Sequence, residues 1–198
     1  MQASELLRQY AAGKRDFSEV DLTEAQLEGA YLSEIILDGA ILGGANLNKA
    51  NLSQASLQNA DLNGANLANA DLSEANLYGA MMDGAILEGA ILDRANLSQS
   101  ELTVAKMIEA NLSEADLTEA NLTAANLDNA DLSGADLASS DLSEANLAQA
   151  DLEAANLSGA NLEKANLEGT ILDENQETPG NGNGESSIAN EERGEEKI

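Results

Sequence analysis

The sequence has no cysteine and no histidine. Without cysteine the chain can form no disulfide, no thiol nucleophile and no thiolate metal site. Without histidine it lacks the commonest general base and metal ligand. Because catalysis needs a nucleophile or base held beside a partner group, these absences predict a protein that is not an enzyme and that binds no cofactor or metal.

Aromatic residues and long apolar runs are also scarce. The only aromatic residues are Tyr10, Phe17, Tyr31 and Tyr78. No run of about 18 apolar residues could span a membrane, and the first 13 residues lack the apolar segment of a signal peptide. We therefore expect a cytoplasmic protein with no membrane contact and with a core built from smaller side chains.

Positive charge is the third shortage. Asp and Glu number 36 against 9 Lys and Arg, and the formal net charge is −27. Proteins that bind nucleic acid depend on Lys and Arg to neutralise phosphates. Direct binding to nucleic acid is therefore disfavoured.

A repeat of five residues fills most of the chain. Residues 15 to 174 form 32 pentads in one register, in which the first residue is usually Ala and the third is usually Leu. The third residue of each pentad is Leu from Leu22 to Leu172, except at Met82 and Met107, and Phe17 is the third residue of the first pentad. Asn or Asp occupies 21 of the 32 second positions.

A period of five fits neither a helix nor a long flat strand. On a helix, five residues turn about 500°, so the Leu side chains would spread around the surface. On a flat strand they would alternate between faces. If the chain turns once per pentad, every Leu points inward, the Ala two residues earlier points inward with it, and the residue between them points outward. Stacked turns of this kind form a solenoid.

The motif A-(D/N)-L-x-x resembles the pentapeptide-repeat family over about four fifths of the chain. The resemblance implies an all-β fold, a right-handed quadrilateral parallel β-helix with four pentads per coil and therefore about eight coils. The sequence pattern divides the chain into three regions: a capping helix at residues 1–14, the β-helix at 15–174 and a disordered acidic tail at 175–198.

The two ends of the solenoid carry separate predictions. Residues 4 to 12 read as a short amphipathic helix with Ser4 as N-cap and Gly13 at its end, covering the first coil. The last coil has no such cover, and exposed strand edges are rarely left bare. One expectation is a homodimer through the C-terminal coil, whose leucines are Leu157, Leu162, Leu167 and Leu172. The alternative, favoured by the repulsion between two acidic chains, is a monomer whose last coil frays and is loosely shielded by the tail.

The outward second position departs from Asn and Asp near the middle of the chain. Met81, Ile86 and Ile91 occupy it in coil four, and Val104 and Ile108 follow at corners of coil five. Contiguous apolar patches often mark contact surfaces, so the candidate protein-contact residues are Tyr78, Met81, Ile86, Ile91, Val104 and Ile108. The alternative is that β-branched residues merely suit a pleated surface.

These features predict a non-enzymatic protein-interaction scaffold whose protein partner is unknown. The stacked pair Asp131 and Asp151 could suggest a calcium ladder, but the glycine-rich turn of calcium-binding repeats is missing. The resemblance implies an alternative function, because some members of the family mimic DNA in outline and charge. On that alternative the chain is an acidic rod that binds a type II topoisomerase such as DNA gyrase.

Overall fold

The computed structural model describes residues 1–171. It contains one helix, α1, at Ala3–Ala11, followed by regularly spaced parallel bridges of one residue each. The predicted tail at 175–198 and the predicted dimer residue Leu172 lie outside the described residues.

The bridges build four ladders, and every bridge joins residues 20 positions apart. Each coil therefore contains four pentads, as the family resemblance implies. The first ladder runs from Asp16 to Asn156, the second from Asp21 to Asn161, the third from Gln26 to Asn166 and the fourth from Tyr31 to Ile171. Each ladder joins eight residues, one from each successive turn of the chain.

The pentad at residues 120–124 shows why its second position favours Asn or Asp. The N–H of Ala120 closes a turn onto the Leu of the preceding pentad, and the N–H groups of Asn121, Leu122 and Ala124 donate to carbonyls of the neighbouring coils. One backbone donor is left over, that of Thr123. It donates to Asn121 Oδ1 at 3.1 Å. A short side chain with an oxygen at the second position thus satisfies the fifth N–H of the pentad, which a buried or half-buried backbone requires.

The fifth residue of each pentad turns the corner with a positive φ. From Glu19 to Gly169, the fifth residue of every pentad has a φ in the left-handed region of backbone conformation, and 21 of these residues are not glycine. That region is disfavoured for residues with a Cβ, and most strongly for β-branched ones. Val104, with φ of 54°, is the only β-branched residue among the described corners.

The interior is filled as the repeat predicts. The third-position Leu and first-position Ala side chains of residues 32 to 152 are buried, and Met82 and Met107 replace two of the leucines without becoming exposed. Ser100 and Ser140 replace two of the alanines and are also buried. The inward assignment of the first and third positions is therefore confirmed.

Helix α1 covers the first coil. Leu6 is fully buried, and Leu7 and Tyr10 are partly buried against the same core. Tyr10 also donates its hydroxyl to the Ser33 carbonyl at 2.8 Å. The Ser4 N-cap prediction is wrong: Gln2 is the N-cap, with no side-chain hydrogen bond, because the helix begins one residue earlier than its amphipathic pattern.

The end of α1 follows its sequence signal. The N–H of Gly13 donates to Tyr10 and that of Lys14 donates to Gln9, which is the pattern of a Schellman motif. Gly13 has φ of 96°. A glycine meets this requirement without a Cβ penalty, so the helix ends where the chain must turn into the first pentad.

The opposite end is less covered. Leu157 is 8% exposed, and Leu162 and Leu167 are only partly buried. The backbone N–H groups of these three leucines find no acceptor within residues 1–171, whereas Leu147 N–H donates to Asn166 at 2.8 Å. The described part of the last coil therefore ends in an open parallel edge.

Candidate protein-contact face

The predicted contact residues lie on several sides of the rod. Met81 belongs to the second ladder, Ile86 to the third and Ile91 to the fourth. They do not form the single contiguous patch that the sequence analysis expected, because the chain turns a corner after every pentad. Three successive second positions are therefore placed on three successive sides.

Three of the six residues do cluster, around Lys106. Ile86 is bridged directly to Lys106 on the third ladder. Val104 ends the pentad before Lys106 and is 55% exposed, and Ile108 lies two residues after Lys106 and is half-buried. We call Ile86, Val104, Lys106 and Ile108 the Lys106 cluster.

The third ladder differs from the others in charge. Its residues are Gln26, Asn46, Asn66, Ile86, Lys106, Asn126, Asn146 and Asn166, with no carboxylate among them. Each of the other three ladders carries at least three Asp or Glu. Neighbouring amides bond to each other on the third ladder, with Asn146 Nδ2 donating to Asn126 Oδ1 at 3.0 Å. This side, the third face, is the least acidic of the rod at the ladder positions.

Three pentads of the third face, those of Gln26, Ile86 and Lys106, leave the fourth-position N–H without an acceptor in the described chain. Neither Ile86 nor Lys106 has a side-chain oxygen, and the N–H groups of Glu88 and Ile108 find no acceptor in the described chain. On the same ladder the consensus pentads satisfy this donor. Asn66 Oδ1 accepts from Ala68 N–H at 3.1 Å.

Met81 on the second ladder shows that a missing amide can be compensated. The N–H of Asp83, in the Met81 pentad, donates to Asn63 Oδ1 of the preceding coil at 2.9 Å. Asp83 Oδ1 in turn accepts from Thr103 N–H at 3.0 Å. The departure at Met81 therefore leaves no free donor, in contrast to those at Ile86 and Lys106.

Lys106 is exposed and unpaired. The ion pairs of the described residues join Arg8, Arg94 and Lys164 to nearby carboxylates, and none includes Lys106. Its side chain makes no hydrogen bond within residues 1–171. Lys14 and Lys49 are likewise in no ion pair within the described residues, so Lys106 is distinguished by its place on the ladder without carboxylates and not by the missing partner alone.

The remaining predicted residues are isolated from the Lys106 cluster. Tyr78 lies at a corner after the first ladder and donates its hydroxyl to Gln99 Oε1. Ile91 stands between Asp71 and Asn111 on the fourth ladder. Each is a single apolar group among polar neighbours, which is normal for a protein surface.

The consensus carboxylates serve the backbone. Hydrogen bonds from the backbone N–H and then the hydroxyl of Ser18 hold the pKa of Asp16 below its ordinary value, and Thr23 lowers the pKa of Asp21 in the same way. Within the described residues no group of three or more carboxylates is placed to hold a metal ion. No helix of this part of the chain has the length and apolarity to cross a membrane.

Comparison with known proteins addresses the repeat as a whole. The profile of the family described as pentapeptide repeats matches eight copies, over residues 16–54, 50–89, 87–118, 105–143, 115–153 and 135–173. HetL, a pentapeptide repeat protein involved in heterocyst differentiation regulation in the cyanobacterium Nostoc, is 34% identical. That match covers 89% of this chain and 99% of HetL, with a TM-score of 0.47.

A second solved structure supports the fold. QnrB1, a plasmid-mediated fluoroquinolone resistance protein, is 22% identical over 80% of this chain and 82% of its own, with a TM-score of 0.55. Comparison with curated protein sequences gave no match. With the family profile spanning nearly all of the repeat and the ladders confirming its pentads, this chain belongs to the pentapeptide-repeat family.

Proposed function

We propose that the protein is a non-enzymatic binding module of the cytoplasm, a right-handed rod that docks a partner protein on its third face through the Lys106 cluster. The observation that carries the proposal is local. At Ile86 and Lys106 the repeat gives up its amide, nothing in the described chain replaces it, and the two positions are bridged to each other. The pentads of Tyr31, Ile36, Ile41 and Ile91 also leave their fourth-position N–H without an acceptor in the described chain, but none of them is bridged to another such pentad. Positions that break a local structural rule without compensation are often functional.

The composition of the cluster supports a protein partner. Ile86 is bridged to Lys106 on the least acidic face of the rod, and Val104 and Ile108 lie two residues to either side of Lys106 in the chain. Interface centres are depleted of charge and rich in apolar side chains relative to the rest of a surface. The flanking faces carry the ladder carboxylates, which form a polar rim and discourage self-association through like charge.

The repeat itself provides the variant that tests this function. Ile86→Asn restores the consensus and supplies an acceptor for Glu88 N–H, so the fold is expected to remain intact or become slightly more stable. Capture of a partner from extract of the source cells is expected to fall. Ile41→Asn is the matched control, because Ile41 is a 44% exposed second-position residue on the second ladder. Equal capture by wild type and both variants would reject the third face as the docking site.

The charge of the rod favours a second candidate function. Residues 1–171 contain 28 acidic and 7 basic residues, which gives 7 − 28 = −21. Eight coils at a spacing of about 4.8 Å give a rod of about 38 Å, and double-stranded DNA of that length carries about 22 charges. This similarity supports a DNA-mimicking rod that binds a type II topoisomerase such as DNA gyrase. A supercoiling assay with purified gyrase tests it, and no effect at micromolar protein would end it.

The open C-terminal coil supports the proposal of a homodimer. Within residues 1–171, Leu162 and Leu167 are partly exposed and their N–H groups find no acceptor, and an edge of this kind is rarely left bare. A two-fold axis would place an identical surface on them. Sedimentation equilibrium is expected to show a dimer for wild type and a monomer for Leu167→Glu, while a monomer mass for wild type at micromolar concentration would exclude the dimer.

A further inference from the structure

We infer that the Lys106 cluster binds one carboxylate from a partner segment, with the Lys106 ammonium as counter-ion and the free N–H of Ile108 as hydrogen-bond donor, while the free N–H of Glu88 donates to a backbone carbonyl of the same segment. The inference rests on the proposed docking function and names the chemistry of its partner. That segment carries an Asp or Glu between aliphatic residues, with basic residues at its flanks.

The neighbouring pentads show where the carboxylate oxygen would lie. On the same ladder, Asn126 Oδ1 lies 3.3 Å from Asp128 N, and the corresponding oxygen of Asn66 lies 3.1 Å from Ala68 N. An oxygen beside a second-position side chain is thus within reach of the fourth-position N–H. The pentad of Lys106 has the same backbone bonds, since Lys106 N–H donates to Ala85 at 2.9 Å. An external oxygen can therefore occupy the equivalent place next to Ile108 N–H.

Two such places are stacked on adjacent coils. Ile86 and Lys106 are bridged, so the free donors of Glu88 and Ile108 lie one coil apart, a spacing of about 4.8 Å. One carboxylate oxygen fills the place beside Lys106. A backbone carbonyl of the same segment accepts a hydrogen bond from the Glu88 N–H beside Ile86, since a peptide segment that crosses the two adjacent coils passes both free donors.

The charges around Lys106 favour a carboxylate next to the Ile108 N–H and basic residues on either side of that carboxylate in the partner segment. The Lys106 ammonium has no acidic partner in the described chain, and a charge-assisted hydrogen bond is stronger than a neutral one. Glu88, Glu109 and Asp128 occupy the nearby fourth and fifth pentad positions, and the carboxylate of Glu88 makes no hydrogen bond or ion pair in the described chain. An incoming acid is therefore repelled unless its own flanks carry Lys or Arg.

The conformation of Val104 supports an apolar contact beside this charge. Val104 holds a φ of 54°, although a β-branched residue is strongly disfavoured there. Its 55% exposure means that packing within the chain gives little in return. Backbone strain of this kind often marks functional positions, and a partner's aliphatic side chain would bury the exposed surface of Val104.

The test uses the full chain labelled with ¹⁵N and two peptides with blocked ends, Lys-Leu-Asp-Leu-Lys and its match with Asn at the centre. The Asp peptide is expected to shift the amide signals of Glu88 and Ile108 and the ammonium signal of Lys106, with saturation in the millimolar range. The Asn peptide is expected to bind about tenfold more weakly, as expected for loss of a charge-assisted bond. The Asn peptide has a higher net positive charge than the Asp peptide, so non-specific attraction to the acidic rod would make the Asn peptide bind more tightly.

Two substitutions separate the charge from the free donor. Lys106→Gln removes the ammonium and leaves Ile108 N–H free, as Gln26 leaves Glu28 N–H without an acceptor on the same ladder. Lys106→Asn removes the ammonium and also supplies the missing acceptor. Lys106→Gln is expected to abolish the preference for the Asp peptide, and Lys106→Asn to abolish the shift at Ile108 as well. Ile91→Asn, on the fourth ladder, is expected to change neither.

Equal or tighter binding of the Asn peptide, shifts confined to other parts of the rod, or no shift in the millimolar range would each overturn the carboxylate site. The outcome is separable from that of the docking function. Partner capture lost in Ile86→Asn but unchanged in Lys106→Gln would keep third-face docking and reject the carboxylate site. Capture unchanged in Ile86→Asn, together with Asp-selective shifts, would reject the docking function alone.

Discussion

The two ends of the rod are completed differently. At the N-terminal end α1 buries Leu6 and Phe17 completely, and Tyr10 is bonded to the first coil. At the other end Leu162 and Leu167 remain partly exposed, with their N–H groups unpaired in the described chain. A repeated coil therefore satisfies the coils beside it but does not cap the end of a solenoid, because each coil leaves N–H donors and leucine surface to be covered by the next coil.

The largest effect should come from removing a leucine that has coils on both sides. Leu122→Ala is expected to lower the free energy of unfolding by about 2–5 kcal/mol, because Leu122 is buried between complete coils. Leu162→Ala in the open coil is expected to lower it by less than half as much, since that side chain is already partly exposed. Urea denaturation of both variants measures the difference. Equal losses would show that the C-terminal coil is as well covered as the middle of the rod.

The second largest loss of stability should come from weakening the contact between α1 and the first coil. Leu6→Ala is expected to destabilise the protein by about 2–3 kcal/mol, because Leu6 is the one residue of α1 that is fully buried in the core. The loss should appear first in the amide exchange of the first coil, since a solenoid opens from its weakest interface. Ser4→Ala serves as the control and should have little effect, as Ser4 is exposed and caps nothing.

Between the two ends, a pair of buried serines tests whether stability also depends on hydrogen bonding inside the rod. Ser100 and Ser140 occupy the same inward position on one side of the rod, but only Ser140 Oγ has a partner, the Leu137 carbonyl at 2.8 Å. Ser100 Oγ is buried without one. Ser100→Ala is expected to raise the thermal midpoint, by an amount equivalent to about 1 kcal/mol, because it removes an unsatisfied hydroxyl. Ser140→Ala should be neutral or slightly destabilising, and a larger gain there would contradict this assignment.

The smallest effect concerns the charge pair on α1. Hydrogen bonds from Arg8 and then Gln9 lower the pKa of Glu5 from its ordinary value of 4.5 to about 2. A lowered carboxyl pKa contributes stability that is present above about pH 4.5 and is lost as the pH falls through about 2. An NMR titration of the Glu5 carboxyl checks the value. Arg8→Gln should return the pKa toward 4.5 and leave the C-terminal coil unaffected.

Much of the outer surface could be read from the pentads, but the contact face could not. The pattern identified Ile86, Ile91 and Val104 as departures from consensus, and it placed Lys106 above Ile86, which the bridge between them confirms. The pattern could not show that Ile91 lies away from Ile86 and Lys106, on the fourth ladder, where Asp71 is one of its bridge partners. It also gave no sign that Asn63 compensates for Met81, since that bond joins residues a full coil apart.

The sequence indicates which side chains turn inward, because a period of five with Leu and Ala two residues apart fits a chain that bends once per pentad and fits neither a helix nor a flat strand. It also determined the role of Gly13 and the amphipathic character of α1. Only the tertiary structure decided which pentads share a side, since closing a coil after 20 residues depends on backbone hydrogen bonds between coils and not on any local preference. The free donors of Glu88 and Ile108 belong to this second group, because whether a backbone N–H is satisfied depends on what the adjacent coils bring to it.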